Sequence, residues 1–331
     1  MASFGHASHG SAVSGKLGSA AFLRLSPARR RRILHRLGRF DPWEPGFDFT
    51  PPVLPPGMED GPPDFVGIGA QKSGTTWWYD LVTTHPGVTA PSHLHKERHL
   101  LDRFGEQPFG PEDAARYARW FPRRPGTITG EWTPDYATFA WAPELLHRVA
   151  PDARLLMLVR NPVDRFVSGV DHYRRRQVPV DGMVLADAVG RGRYTTTVAE
   201  WTSVFPSGSL LVLQYERCLV DTDRQLARTF EHLGLPGHGT AGTRGTVRPP
   251  AAGRPPLDPE VRRRLVDGYR HEVLALADLV PDLDLDLWPD FAGGAGAPPG
   301  GAARDGRRQP GGGSVPTGGP PADGPSSRVR P

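Results

Sequence analysis

Apolar residues gather in the middle of the chain and thin out towards both ends. At Asp64 a short unbroken run, Phe65-Val66-Gly67-Ile68-Gly69, gives way at once to Ala70-Gln71-Lys72-Ser73-Gly74 and then to Thr75-Thr76-Trp77-Trp78. Short runs without polar alternation mark strands buried on both faces, so the pattern predicts a strand, a polar loop and a helix start. A second run, Leu155-Leu156-Met157-Leu158-Val159, ends in Arg160-Asn161-Pro162, and a third, Leu210-Leu211-Val212-Leu213, precedes Gln214-Tyr215-Glu216. Helical stretches separate them, which predicts an α/β fold with a central parallel sheet wrapped by helices. From Leu257 to Leu287 the period becomes that of one amphipathic helix with an acidic end bearing Trp288, a packing element without evident chemistry.

The flanks read differently. Residues 1–63 form an extension: a Gly/Ser-rich start, a basic stretch from Leu25 to Phe40 that opens at Ser26-Pro27 and carries Arg29 to Arg32, Arg36 and Arg39, and a Pro-rich connector. The basic helix either packs its few leucines on the core or gives weak peripheral contact with an anionic membrane through residues 29–39. From Phe291 to Pro331, Gly and Pro make up 20 of 41 residues, so the tail is expected to be disordered. Residues 64–290 remain as one domain, in keeping with 331 residues of which 37% are apolar.

The net charge is +4, and the basic residues bunch locally, which favours small anionic ligands over nucleic acid. A single cysteine, Cys218, leaves no internal disulfide and no all-cysteine metal site. No apolar run reaches membrane-spanning length and the N-terminus lacks a signal-peptide pattern, so the expected location is cytoplasmic.

Chemistry concentrates at the first strand-loop-helix junction. Free N–H groups at a helix start point at whatever lies in the loop, and Lys72 with the hydroxyls of Ser73, Thr75 and Thr76 adds charge and donors. A Walker A loop needs Gly directly before its Lys, where this chain has Gln71, so an ATP- or GTP-hydrolysing site is disfavoured. Arg160 at the end of the second run offers a forked cation, and Ser168 a hydroxyl two turns further on.

The order Lys72-Ser73-Gly74-Thr75-Thr76-Trp77 resembles the 5′-phosphosulfate loop of the PAPS-dependent sulfotransferases (PAPS is 3′-phosphoadenosine 5′-phosphosulfate), and Arg160 with Ser168 resembles their 3′-phosphate motif. That resemblance implies a P-loop-type three-layer fold, PAPS as donor co-substrate, adenosine 3′,5′-bisphosphate as product, and no metal. Tyr194 would lie near the nucleotide, and the loop with Arg244-Gly245 would close over the 3′-phosphate. His93-Leu94-His95-Lys96-Glu97-Arg98-His99 and Gly130-Glu131-Trp132-Thr133-Pro134-Asp135-Tyr136 look like the heparan sulfate branch. There Glu97 would be the general base and His99 its neighbour, with His99 or His95 as the alternative base, while Lys72 neutralises the departing nucleotide.

Trp132 stands where that branch has a lysine. The departure points to a less anionic acceptor, a sugar, glycolipid or natural-product alcohol or phenol, in a pocket lined by His95, Trp132, Tyr136 and Trp141; packing in the core is the other reading of Trp132. Two other functions stay open: a P-loop kinase or NTPase, which would need Mg²⁺, and a non-enzymatic membrane adaptor using the basic stretch.

Overall fold

A computed structural model describes residues 50–90, 96–238 and 257–292. The basic stretch at 25–40, His93, His95, Arg244, Gly245 and the tail from 293 onward lie outside the described residues.

Four parallel strands carry the fold: β1 (Phe65–Gly69), β2 (Gly130–Trp132), β3 (Arg154–Val159) and β4 (Leu210–Gln214), in the order β2-β1-β3-β4. The helices are α1 (Thr75–Val82), α2 (Pro111–Ala118), α3 (Ala142–Val149), α4 (Pro162–Arg175), α5 (Gly182–Gly190), α6 (Tyr194–Val204), α7 (Tyr215–Val220), α8 (Thr222–His232) and α9 (Pro259–Leu279). After β2 the chain crosses back over β1 to build β3, so strand order reverses between β1 and β3. Open parallel sheets bind ligands outside the carboxyl ends of the strands at such a reversal. The Lys72 loop follows β1 and Arg160 follows β3, so both fall at that crevice.

Helices cover both faces, which explains the unbroken apolar runs. Val66, Ile68, Leu155, Met157 and Val159 meet Leu146, Trp201, Tyr269 and Leu276 on one side. Phe65, Leu156, Leu158 and Leu213 meet Trp78, Leu226 and Phe230 on the other. The result is the expected three-layer α/β architecture.

Two elements depart from the sequence pattern. The helix expected over 257–287 stops at Leu279, because Pro281 pushes Val280 out of helical geometry (φ −124, ψ 86). A short 3-10 turn at Leu285–Leu287 follows and seats Trp288 in the core, where its indole N–H donates to Glu216 at 2.7 Å. β2 has only three residues and carries no periodic signal of its own. The connector is docked by an antiparallel bridge between Glu59 and Arg123, and Arg123 also pairs with Asp64. Among the described residues no helix is long and apolar enough to cross a membrane.

Candidate active site

The loop after β1 is shaped as an anion cradle. Lys72 (φ 69) and Gly74 (φ 87) both take left-handed backbone, and no side chain caps the start of α1. The amide groups of its first turn are therefore left to a ligand. A Cβ at Gly74 would lie 2.4 Å from the ring of Tyr215, so glycine is needed for close approach as well as for φ. Ser73 is fully buried and its hydroxyl finds no hydrogen-bond partner among the described residues, while Thr76 is exposed at the mouth. Lys72 Nζ donates to His172 Nδ1 at 3.3 Å. Burial and the neighbouring Lys72 hold His172 down to about 4, so it stays a neutral acceptor.

Arg160 closes one side of this cradle. Its Nη1 donates to the Lys72 carbonyl at 3.3 Å, and its guanidinium lies 5.1 Å from the centre of the Tyr215 ring. Tyr215 also meets Trp77 edge-on at 6.1 Å. Asn161 caps α4 by accepting from Val163 and Asp164, which fixes the turn that presents Arg160. Tyr194 is buried and its hydroxyl donates to the Arg160 carbonyl at 2.8 Å; it braces the motif from below. Ser168 lies half-buried on α4, four residues before His172.

The segment 96–102 lies along the end of β2. Trp132 N–H donates to the Lys96 carbonyl at 2.6 Å, and Arg98 N–H to Glu131 at 3.0 Å. Glu131 is fully buried and also accepts from Tyr117 (2.5 Å), Thr133 (2.5 Å) and Tyr136 (3.1 Å). Burial raises its pKa, against the pull of those donors and of Arg98. This buried hub docks the segment and sets out Glu97, His99 and Asp102 in sequence.

His99, itself in left-handed backbone (φ 53), places Nδ1 2.6 Å from Asp102 and 3.9 Å from Asp135, and Nε2 3.4 Å from Glu97 Oε2. Burial opposes its charge, but the bonds to Asp102 and Glu97 prevail and push it up to about 10, so it is an imidazolium at neutral pH. Burial would raise the Glu97 carboxyl; Lys96, 2.6 Å away, and His99 outweigh it and hold it well below the usual range. Glu97 is therefore an ionised, half-exposed carboxylate. Gln71 in the Lys72 loop donates to Asp135 at 3.4 Å, and Arg191 pairs with Asp135, so loop and cluster are joined. His99, Asp102 and Asp135 are close enough to share a metal ion, although the His99 proton and the Arg191 guanidinium already balance the two carboxylates.

Beside the loop a cleft of about 380 Å³ is lined by Gln71, Thr138, Asp187, Arg191, Arg193 and Tyr194. Trp132 and Tyr136, expected on an acceptor pocket, do not line it. Both are fully buried: the Trp132 ring packs over Gly67 with its N–H donated to Gly69 O at 3.0 Å, and Tyr136 serves the Glu131 hub. Trp141 is half-buried and donates to Leu101 O, stacking on Phe139. Trp132 ends the edge strand β2 with its ring turned onto the neighbouring β1 backbone, and Tyr136 lies in the 3-10 turn Pro134–Thr138 that follows, so both are spent on packing.

Sequence reading passed over Lys96, Asp102, Asp135, His172, Arg191 and Tyr215. Tyr215 had a usable signal, since it follows β4 directly at the carboxyl edge. Lys96 and Asp102 are sequence neighbours of Glu97 and His99 that carried no assigned role, and Asp135, His172 and Arg191 are brought in only by the fold.

A family model described as "Sulfotransferase domain" matches residues 62–242. The human heparan sulfate glucosamine 3-O-sulfotransferase 6 is 31% identical over 207 residues, covering 58% of this chain and 57% of that protein. The human heparan sulfate glucosamine 3-O-sulfotransferase 3B1 is 28% identical over 244 residues, 63% of this chain and 60% of that one. The chain thus spans less than two thirds of the length of these relatives. A solved sulfotransferase from Alicyclobacillus acidocaldarius matches the fold with a TM-score of 0.54 at 20% identity, covering 69% of this chain and 98% of that one. A domain match over more than half of the chain, on the stretch that carries both the Lys72 cradle and the Arg160 turn, means that this chain belongs to the sulfotransferase domain family.

Proposed function

We propose that this protein transfers a sulfuryl group from PAPS to an acceptor hydroxyl, with Glu97 as general base. The observation that carries the reading is the meeting of two cationic junctions at the sheet's reversal point, Arg160 Nη1 lying 3.3 Å from the Lys72 carbonyl. A nucleotide with phosphate-like groups at both its 5′ and 3′ positions matches such a pair. The 5′-phosphosulfate lies over the first turn of α1 and Lys72, and the 3′-phosphate takes Arg160 and Ser168.

Transfer is in line. The acceptor oxygen forms a new S–O bond as its proton passes to the Glu97 carboxylate, and the bridging S–O bond to the nucleotide breaks. The electron pair leaves on the 5′-phosphate, where Lys72 offsets the charge. His99, already protonated, serves as hydrogen-bond donor to Glu97 and orienter, which favours Glu97 over His99 as base. Asp102 holds the ring by the opposite nitrogen.

The cleft beside Gln71 is of the size that small ligands use, at the low end of roughly 300–1,000 Å³. It has acids and bases in equal number at Asp187, Arg191, Arg193 and Glu200. That balance suits a neutral hydroxylated acceptor better than a polyanionic chain. The test is sulfate transfer from labelled PAPS across sugar, lipid and aryl acceptors, with Glu97→Gln alongside. Label appearing in an acceptor with the wild type and not with the variant supports the reading; transfer unchanged in the variant moves the base elsewhere.

A further inference from the structure

Lys96 stands between the donor cradle and the carboxylate assigned as base. Its side chain is 9% exposed, and its ammonium reaches Glu97 Oε1 at 2.6 Å, Thr75 Oγ1 at 3.1 Å and the Trp132 carbonyl at 3.4 Å. An ammonium has three N–H donors, and these are three acceptors, so the group is fully served. Only Glu97 among them is charged. The backbone is pinned as well, because the Lys96 carbonyl accepts from Trp132 N–H. What remains free is the four-carbon stem, which lets the ammonium pivot about a fixed root.

The position of Thr75 gives the arrangement its meaning. Thr75 is the first residue of α1, in the turn whose amides face an anion in the cradle. A sulfuryl group held there arrives on the Thr75 side of the same ammonium that Glu97 holds from the other side. Two anions then compete for one cation. While Lys96 is paired with Glu97, the carboxylate is a poor proton acceptor, because its charge is already neutralised. His99 approaches the other oxygen, Oε2, so loss of the Lys96 contact leaves Glu97 still oriented.

Resting on the PAPS reading above, we propose that Lys96 couples donor loading to the base: its ammonium turns from Glu97 to the sulfuryl oxygens of bound PAPS, and Glu97 is freed to take the acceptor's proton. Lys96 itself neither gains nor loses a proton. PAPS and its product adenosine 3′,5′-bisphosphate differ only in the sulfuryl group, so Lys96 also distinguishes substrate from product.

The experiment compares binding of PAPS and of adenosine 3′,5′-bisphosphate, without acceptor, to the wild type, Lys96→Met and Lys96→Arg by calorimetry. Losing a charge-assisted contact weakens PAPS by about tenfold or more in Lys96→Met, while product binding stays within about twofold. Lys96→Arg restores the preference. A second readout follows the Glu97 carboxyl by ¹³C resonance, assigned with Glu97→Gln: in the wild type it titrates higher with PAPS than with the product, and in Lys96→Met the two titrations coincide. Equal weakening of both nucleotides in Lys96→Met, or of neither, or a wild-type Glu97 titration indifferent to the sulfuryl group, overturns the coupling. If neither nucleotide binds the wild type, the donor reading falls with it.

Discussion

Glu97 and His99 differ in charge because of what surrounds each, and the difference fits them to the roles proposed for them. Lys96 on one oxygen and His99 on the other keep Glu97 ionised, whereas Asp102 behind and Glu97 in front keep His99 protonated. Replacing Glu97 by Gln preserves shape and removes the proposed proton acceptor, so kcat should fall by about 10² to 10⁴. Product binding, measured by titration, should change little. His99 also has a signature in stability. Its folded pKa, about 10, lies above the ordinary value of 6.5, so the stabilisation is complete below 6.5 and is lost as pH rises towards and through 10. The melting temperature of the wild type should drop across that window more steeply than that of His99→Gln. A parallel loss in both proteins would remove the imidazolium from the account.

At the scale of elements, the short strand β2 does more than its length suggests. Glu131 gathers four donors and moors the segment that carries Glu97 and His99, and Trp132 lies over Gly67 and ties to Gly69 at the foot of the donor loop. A Cβ at Gly67 would fall 1.9 Å from the Trp132 ring. Gly67→Ala should therefore destabilise by at least the 1–3 kcal/mol, roughly, of an overpacked core, read from urea unfolding. Partial recovery in Gly67→Ala with Trp132→Phe would locate the clash at the indole. β1, β3 and β4, with the loops they feed, were readable from their unbroken apolar runs, because burial on both faces leaves that mark. β2 was not, since three residues show no period, and Trp132 could be read as pocket or core until its ring was placed. The end of α9 was misplaced for a local reason, Pro281, that an otherwise continuous pattern of leucines concealed.

For the molecule as a whole, the order β2-β1-β3-β4 does the work of assembly. It brings two loops 88 residues apart, at Lys72 and Arg160, to one crevice, with Tyr215 from a third strand end beside them. The chemistry of each loop was evident from its residues; that they touch is a property of the reversal in strand order. The acid-base cluster was half visible, as Glu97 and His99. Lys96 and Asp102 stand beside them in sequence, whereas Asp135 and Arg191 join only when the segment after α1 folds back along β2 and the end of α5 closes beside it. The central claim is that this crevice is built for a nucleotide with charge at both its 5′ and 3′ ends. Calorimetric titration with adenosine 3′,5′-bisphosphate tests it most directly: the wild type should bind, Lys72→Ala and Arg160→Ala should each lose most of that binding, and ATP with Mg²⁺ should not substitute. A wild type that ignores the bisphosphate, or binds and turns over ATP instead, would contradict the account.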